Sequence, residues 1–229
     1  MKVIALNTQA GNDENWVLMK NPTDPGQHLE WLRKELLASE KSNQLVYIIG
    51  HIPPQDNVDE WGSRFNLLIE RFNYIIRGQF YGHTHNDHLA FFTASNDTTH
   101  KIINNYLVAP SFTTSTDRNP RYRILKVDRD TMRVVDYDQF NKYTSFIRLN
   151  LKRNWTKDQT PVFEADYSLL KEYNLSNFGF AEQARLRGLL ENDNATQIKY
   201  TFHQFGGIKP GTSGKSIGCS TRTTRTLQS

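Results

Sequence analysis

Three histidines carry the chemistry that this sequence offers. His83 and His85 lie in Gly82-His83-Thr84-His85, and His51 sits in Gly50-His51-Ile52-Pro53-Pro54. A neutral imidazole is a good ligand for zinc and similar borderline metals. Each motif follows a short apolar run that reads as a buried strand, Leu45–Ile49 before His51 and Gln79–Tyr81 before His83. A residue just past the end of such a strand sits at the mouth of an α/β sheet, where ligands bind. In a β-like turn, His83 and His85 would point the same way and reach one metal or two adjacent ones. His51 would arrive from the neighbouring strand. Two metals about 3.5–4 Å apart are a common device for phosphoester hydrolysis, because they clamp the phosphoryl oxygens and generate hydroxide near neutral pH. Asp87, two residues past His85, is placed to accept the second ring N–H of a ligating histidine, or to serve as a plain turn aspartate. Gly11-Asn12-Asp13-Glu14 contains no histidine and reads as a turn. His28, His100 and His203 read as ordinary surface or packing residues.

These residues need elements to position them. Lys2–Asn7 reads as a strand. Asp24-Pro25 opens a helix over His28–Lys41, with Leu29, Leu32, Leu36 and Leu37 at helical period. Phe65, Leu68, Ile69, Phe72, Ile75 and Ile76 mark one face of a second helix over Ser63–Arg77. Helix and strand thus alternate up to residue 82, which implies βαβ units with a parallel sheet. Past His88 the runs Leu89–Thr93, Ile102–Val108, Tyr122–Val127 and Met132–Asp138 are strands joined by turns, expected to pair as meanders. Helical period returns from Tyr167 onward. The fold class is therefore α/β (α+β), with a main unit over 1–147, a helical appendage over 148–205 and a disordered tail over 206–229.

The chain has 229 residues and a formal net charge of +4. No Asp or Glu follows Asp193, so the basic excess belongs to the C-terminal end and argues against a nucleic-acid partner. No apolar run approaches the roughly 18–20 residues of a membrane span. The N-terminus lacks the h-region of a signal peptide. The single cysteine, Cys219, rules out an internal disulfide. Four glycosylation sequons, at Asn96, Asn154, Asn174 and Asn194, lean toward a secretory protein.

Gly50–Pro54 followed by Gln79-Phe-Tyr-Gly-His-Thr-His85-x-Asp87 resembles the acid sphingomyelinase family of calcineurin-like metallophosphoesterases. Lys2-Val-Ile-x-Leu-Asn7, Thr23–Gln27 with Leu29-x-Trp-Leu32, Ala109-Pro-Ser111 with Thr113-Thr114, and Asn119-Pro-x-Tyr-Arg123 extend the resemblance over roughly residues 1–205. It implies the C-terminal half of a four-layer β-sandwich flanked by helices, followed by a small helical region. It implies two zinc ions per complete site, with His51 and His83 on one and His85 on the other. The family's other ligands come from Asp-x-His, Gly-Asp-x-x-Asp and Gly-Asn-His-[Asp/Glu] motifs, none of which occurs here. The general-acid histidine would then lie upstream, leaving no catalytic residue in this chain. The implied whole protein is a secreted or lysosomal phosphodiesterase that splits sphingomyelin, at a membrane surface, into ceramide and phosphocholine. Two alternatives stand beside it: a relative acting on nucleotides or other soluble phosphoesters, and a non-catalytic relic or binding protein. The family has a tyrosine after the Thr-Thr pair, where this chain has Ser115.

Overall fold

The computed structural model describes residues 1–95, 97–115, 118–142, 163–207 and 222–223. Strand alternation organises it. In β4 (His88–Thr93) and β5 (Ile102–Val108), Ala90, Phe92, Tyr106 and Val108 enter one core, while Leu89, Phe91, Ile102 and Leu107 enter another. Successive strand residues point to opposite faces, so a strand pair that is apolar on both must be covered on both.

β4 and β5 belong to a sheet that also contains β1 (Lys2–Ala5), β2 (Val46–Ile49), β3 (Ile76–Tyr81) and β9 (Arg222–Thr223), in the order β1-β2-β3-β5-β4-β9. β1, β2, β3 and β5 are parallel, and β4 runs antiparallel to β5. Helices α1 (His28–Lys41) and α2 (Asp59–Arg71) cover one face, with Leu32, Leu36, Phe65 and Ile69 packed on Ile4, Val46, Ile48 and Ile76. The other face meets an antiparallel sheet of β6 (Arg121–Val127), β7 (Val134–Asn141) and β8 (Glu164–Ser168). Val134, Tyr137 and Tyr167 from that sheet share the second core with α3 (Leu169–Glu172), α4 (Phe180–Asn192) and α5 (Asn194–Gln204). The architecture is the mixed α/β arrangement that the sequence points to.

Several elements differ from the sequence expectation. α2 ends at Arg71, and Ile76 opens β3 instead of continuing a helical face. A run of Phe, Leu and Ile at mixed spacing fits both periods, and the parallel pairing of Ile76 with Val46 decides it. The later strands pair antiparallel with their sequence neighbours as expected, but β4–β5 and β6–β7 fall in different sheets. Glu164–Ser168 is a strand on β7, so the region after residue 162 is not purely helical. The proposed boundary at 147/148 and most of the proposed tail lie outside the described residues, as do Asn96 and Asn154. Asn174 and Asn194 are exposed. Among the described residues, no helix is long and apolar enough to cross a membrane.

Candidate metal centre

β1, β2 and β3 end side by side, and the loops beyond them are bound to one another. The Gly50 amide donates to Phe80 O at 3.1 Å, and the Gly82 amide donates to His51 O at 3.0 Å. Thr8, buried in a short 3-10 turn over Thr8–Gly11, accepts the amides of His51 and Ile52 on Oγ1 at 3.0 and 2.7 Å. One hydroxyl thereby satisfies two backbone donors and fixes the loop that carries His51. Gly50 leaves the necessary room: a Cβ there would lie 2.7 Å from Thr8 Cγ2.

The second loop is strained at its histidines. His83 and His85 have φ values of +71° and +59°. The Thr84 amide donates back to Gly82 O at 2.8 Å, which closes a γ-turn around His83. The positive-φ form of this turn is the rarer and more strained kind. The loop is therefore not the β-like turn expected from the sequence. A left-handed conformation costs a non-glycine residue roughly 1–2 kcal/mol. Such cost, found in an observed outlier, points to a functional constraint.

The turn brings the His83 ring to His51, with centroids 5.3 Å apart and planes at 79°. Two imidazoles sharing one tetrahedral zinc at about 2.0–2.1 Å would hold their ring centres roughly 5 Å apart. His51 and His83 thus fit a shared metal. His85 follows on the same loop, its carbonyl accepting the Ser111 amide at 3.4 Å. Among the described residues, no group of three or more His, Cys, Asp and Glu side chains is placed to hold a metal ion. The donors fit half of a metal site.

Two carboxylates that the sequence did not mark as site residues interact here, Asp56 with His83 and Asp13 with Asp56. Burial pushes the Asp56 carboxyl above the usual carboxylate range, His83 draws it back down, and Asp13 pushes it up again. Asp56 Oδ2 is buried with no hydrogen-bond partner among the described residues. Asp56 falls only five residues after His51, a spacing that offered the available clue. Asp13 belongs to the stretch read as a turn, and only the fold brings it near Asp56.

Asp87 is occupied elsewhere. Its Oδ1 pairs with Arg123 Nη2, its Oδ2 accepts from Tyr167 OH at 2.5 Å, and Arg121 Nη1 stands 3.9 Å from Oδ2. Burial pushes this carboxyl up, but Arg123 and Arg121 outweigh burial and hold it below its ordinary range. Arg121 also donates to His203 O at 2.6 Å, and the Asp87 amide donates to Gln204 O at 3.1 Å. Asp87 therefore anchors the histidine loop to the end of α5.

Apolar surface flanks the histidines. An open groove of about 570 Å³ beside the Thr8–Gly11 turn is lined by Trp16, Val17, Pro25 and His28 among others. Trp16 and Met19 are 80% and 85% exposed. On the other flank Phe112 is exposed and stacks on Phe163 at 5.5 Å.

No protein-family model matches the chain. Individual relatives do. The chain is 36% identical to human sphingomyelin phosphodiesterase over 77% of its own length and 27% of the relative. It is 32% identical to sphingomyelin phosphodiesterase B of Dictyostelium discoideum over 77% of itself and 28% of the relative. The chain belongs to the acid sphingomyelinase-like family. A human cyclic GMP-AMP phosphodiesterase matches at 26% identity over 90% of the chain and 46% of that protein. The chain thus spans less than half the length of these family members.

Proposed function

We propose that the chain forms part of a metal-dependent phosphodiesterase that cleaves sphingomyelin into ceramide and phosphocholine. The observation that carries this reading is the His51–His83 pair, set 5.3 Å apart at the ends of adjacent parallel strands. His51 and His83 hold one zinc ion, and His85 serves a second. Zinc supplies Lewis acidity toward the phosphoryl oxygens. Thr8 fixes the His51 loop, and the γ-turn aims His83. Asp56 contributes negative charge beside a site whose histidines are neutral. A metal pair held by neutral ligands alone would be electrostatically costly, so the remaining anionic ligands come from a segment preceding this chain. Asp87 acts through the loop it anchors. The whole protein is secreted or lysosomal, with glycans on Asn174 and Asn194.

Exposed Trp16, Met19 and Phe112 favour a lipid substrate, because large apolar side chains at a site's rim suit a membrane surface. The relative named for cyclic GMP-AMP supports a second reading, hydrolysis of a soluble phosphodiester. The protein encoded by the native transcript separates them. Phosphocholine release from sphingomyelin vesicles, abolished by His83→Ala, is the expected result. Hydrolysis of a cyclic dinucleotide alone would establish the second reading, and neither activity would refute both.

A further inference from the structure

Far from the histidines, Arg77 at the start of β3 and Arg133 just before β7 are two arginines that the histidine chemistry does not use. β3 contains a bulge: Val46 pairs with Ile76 and Tyr47 with Gly78, leaving Arg77 as the extra residue. Bulges re-aim side chains. Here the bulge turns Arg77 into a cavity of about 230 Å³, lined with Arg133, Asn105, Phe178, Gly179 and Gln183. Arg133 enters from the turn before β7, which Tyr47 pins by donating from its hydroxyl to Met132 O at 2.6 Å. Its guanidinium lies 5.0 Å from the centre of the Phe180 ring.

Among the described residues, neither guanidinium meets a carboxylate. Arg77 Nε is buried without a hydrogen-bond partner. Burial, and then the neighbouring Arg77, hold Arg133 below its usual pKa, with no anion opposing them. The nearby Glu182 carboxylate is taken by Arg185 and by the Ser176 amide. Asn105 donates to Gln183 Oε1 at 3.1 Å, and Gln183 donates to Phe178 O at 2.8 Å, so the wall between them is braced. Gly179, at the mouth, is the N-cap of the 13-residue α4 and offers no capping side chain. The free amides of that first turn carry partial positive charge.

Two like charges in a half-closed cavity, with an uncapped helix start between them, are unfavourable without a counter-ion. They are also what a phosphate or sulfate dianion requires, since each guanidinium offers a planar fork of donors. The volume falls below the roughly 300–1,000 Å³ of pockets for drug-sized ligands, which fits a small ion or a single phosphate group. The geometry points to a phosphate-class oxyanion site formed by Arg77, Arg133 and the start of α4. His83 lies six residue steps beyond Arg77 along β3 and its loop, on the order of 20 Å at strand rise, so this site is distinct from the histidines.

The 229-residue chain is titrated with inorganic phosphate in EDTA, which silences any metal at the histidines, and followed by melting and calorimetry. Saturable binding that raises the melting temperature is expected. Arg133→Gln and Arg77→Gln should each weaken binding at least tenfold and melt no lower than wild type without phosphate, since each relieves repulsion. No saturable binding, or binding unchanged in both variants, overturns the site. Variants that melt well below wild type would make the arginines structural props and overturn it too. Vesicles carrying phosphatidic acid distinguish the source. Co-sedimentation lost in Arg133→Gln assigns a lipid headgroup, whereas phosphate binding without co-sedimentation assigns a free ion.

Discussion

His85 and Asp87 are two residues apart, yet the molecule treats their neighbourhoods oppositely. Around Asp87 the charges are buried and paired: Arg123 and Tyr167 meet its two oxygens, and Arg121 bridges onward to the end of α5, although Arg121 Nε and Arg123 Nη1 find no hydrogen-bond partner among the described residues. Around His83 the backbone is strained, the histidines are partly exposed, and a buried carboxylate oxygen of Asp56 has no hydrogen-bond partner among the described residues. Matched buried charge organises a fold. Strained, partly unmatched groups reach their best energy only when something binds. The contrast marks the Asp87 cluster as scaffold and the histidine cluster as the candidate site, although both look alike in sequence.

The sharpest way to break the comparison is Asp87→Asn. It leaves Arg123 and Arg121 buried without their anion, and removal of one partner from a buried pair costs about 3–5 kcal/mol. Urea denaturation should show a loss of that size, and a loss below about 1 kcal/mol would mean the network is not scaffold. Thr8→Val comes next. It strands the amides of His51 and Ile52, worth roughly 1–3 kcal/mol, and should also disorder His51 as seen by its imidazole NMR signals. Unchanged signals would show that Thr8 does not position that loop.

A smaller effect sharpens the scaffold side. His203 Nε2 meets Glu172 Oε1 at 2.9 Å, and Nδ1 stands 3.5 Å from Asp166 Oδ2, an ion-pair distance beyond good hydrogen bonding. Burial alone would lower its pKa, but Asp166 and Glu172 together raise it above the ordinary value. A base whose folded pKa is raised adds stability that is full below its unfolded pKa, about 6.5, and is lost as pH rises through the folded value. The chain should therefore melt higher at pH 6 than at pH 8, and His203→Asn should flatten that difference. An equal pH dependence in the variant would assign it to other groups.

Much of this was legible in sequence. The strand ends before His51 and His83 follow from short apolar runs bounded by glycine, and α1 matches its leucine period from His28 to Lys41. The start of β3 was not legible, because Ile75 and Ile76 fit a helical face as well as a strand. The γ-turn was invisible, since nothing in Gly-His-Thr-His announces a positive φ at a histidine. Asp56 escaped notice, and Asp13 read as part of a turn, because tertiary packing, not spacing, brings Asp56 to His83 and Asp13 to Asp56. His203 read as a packing residue because its partners, Asp166 and Glu172, lie 31 or more residues away. Asp87 was noticed as a candidate, but its arginine partners lie more than 30 residues on, where no local pattern points back to it.

Zinc titration of the 229-residue chain and its His83→Gly and His51→Ala variants, paired with their melting curves, decides whether the strained histidine turn is a metal ligand. Wild type should bind zinc weakly, and His83→Gly and His51→Ala should each abolish binding. Glycine at 83 relieves the left-handed turn but adds its own unfolded-state entropy, for a net between no change and about 1 kcal/mol of added stability. Zinc binding indifferent to both substitutions, tight binding of two zinc ions, or a His83→Gly variant well below wild type in stability would contradict this expectation.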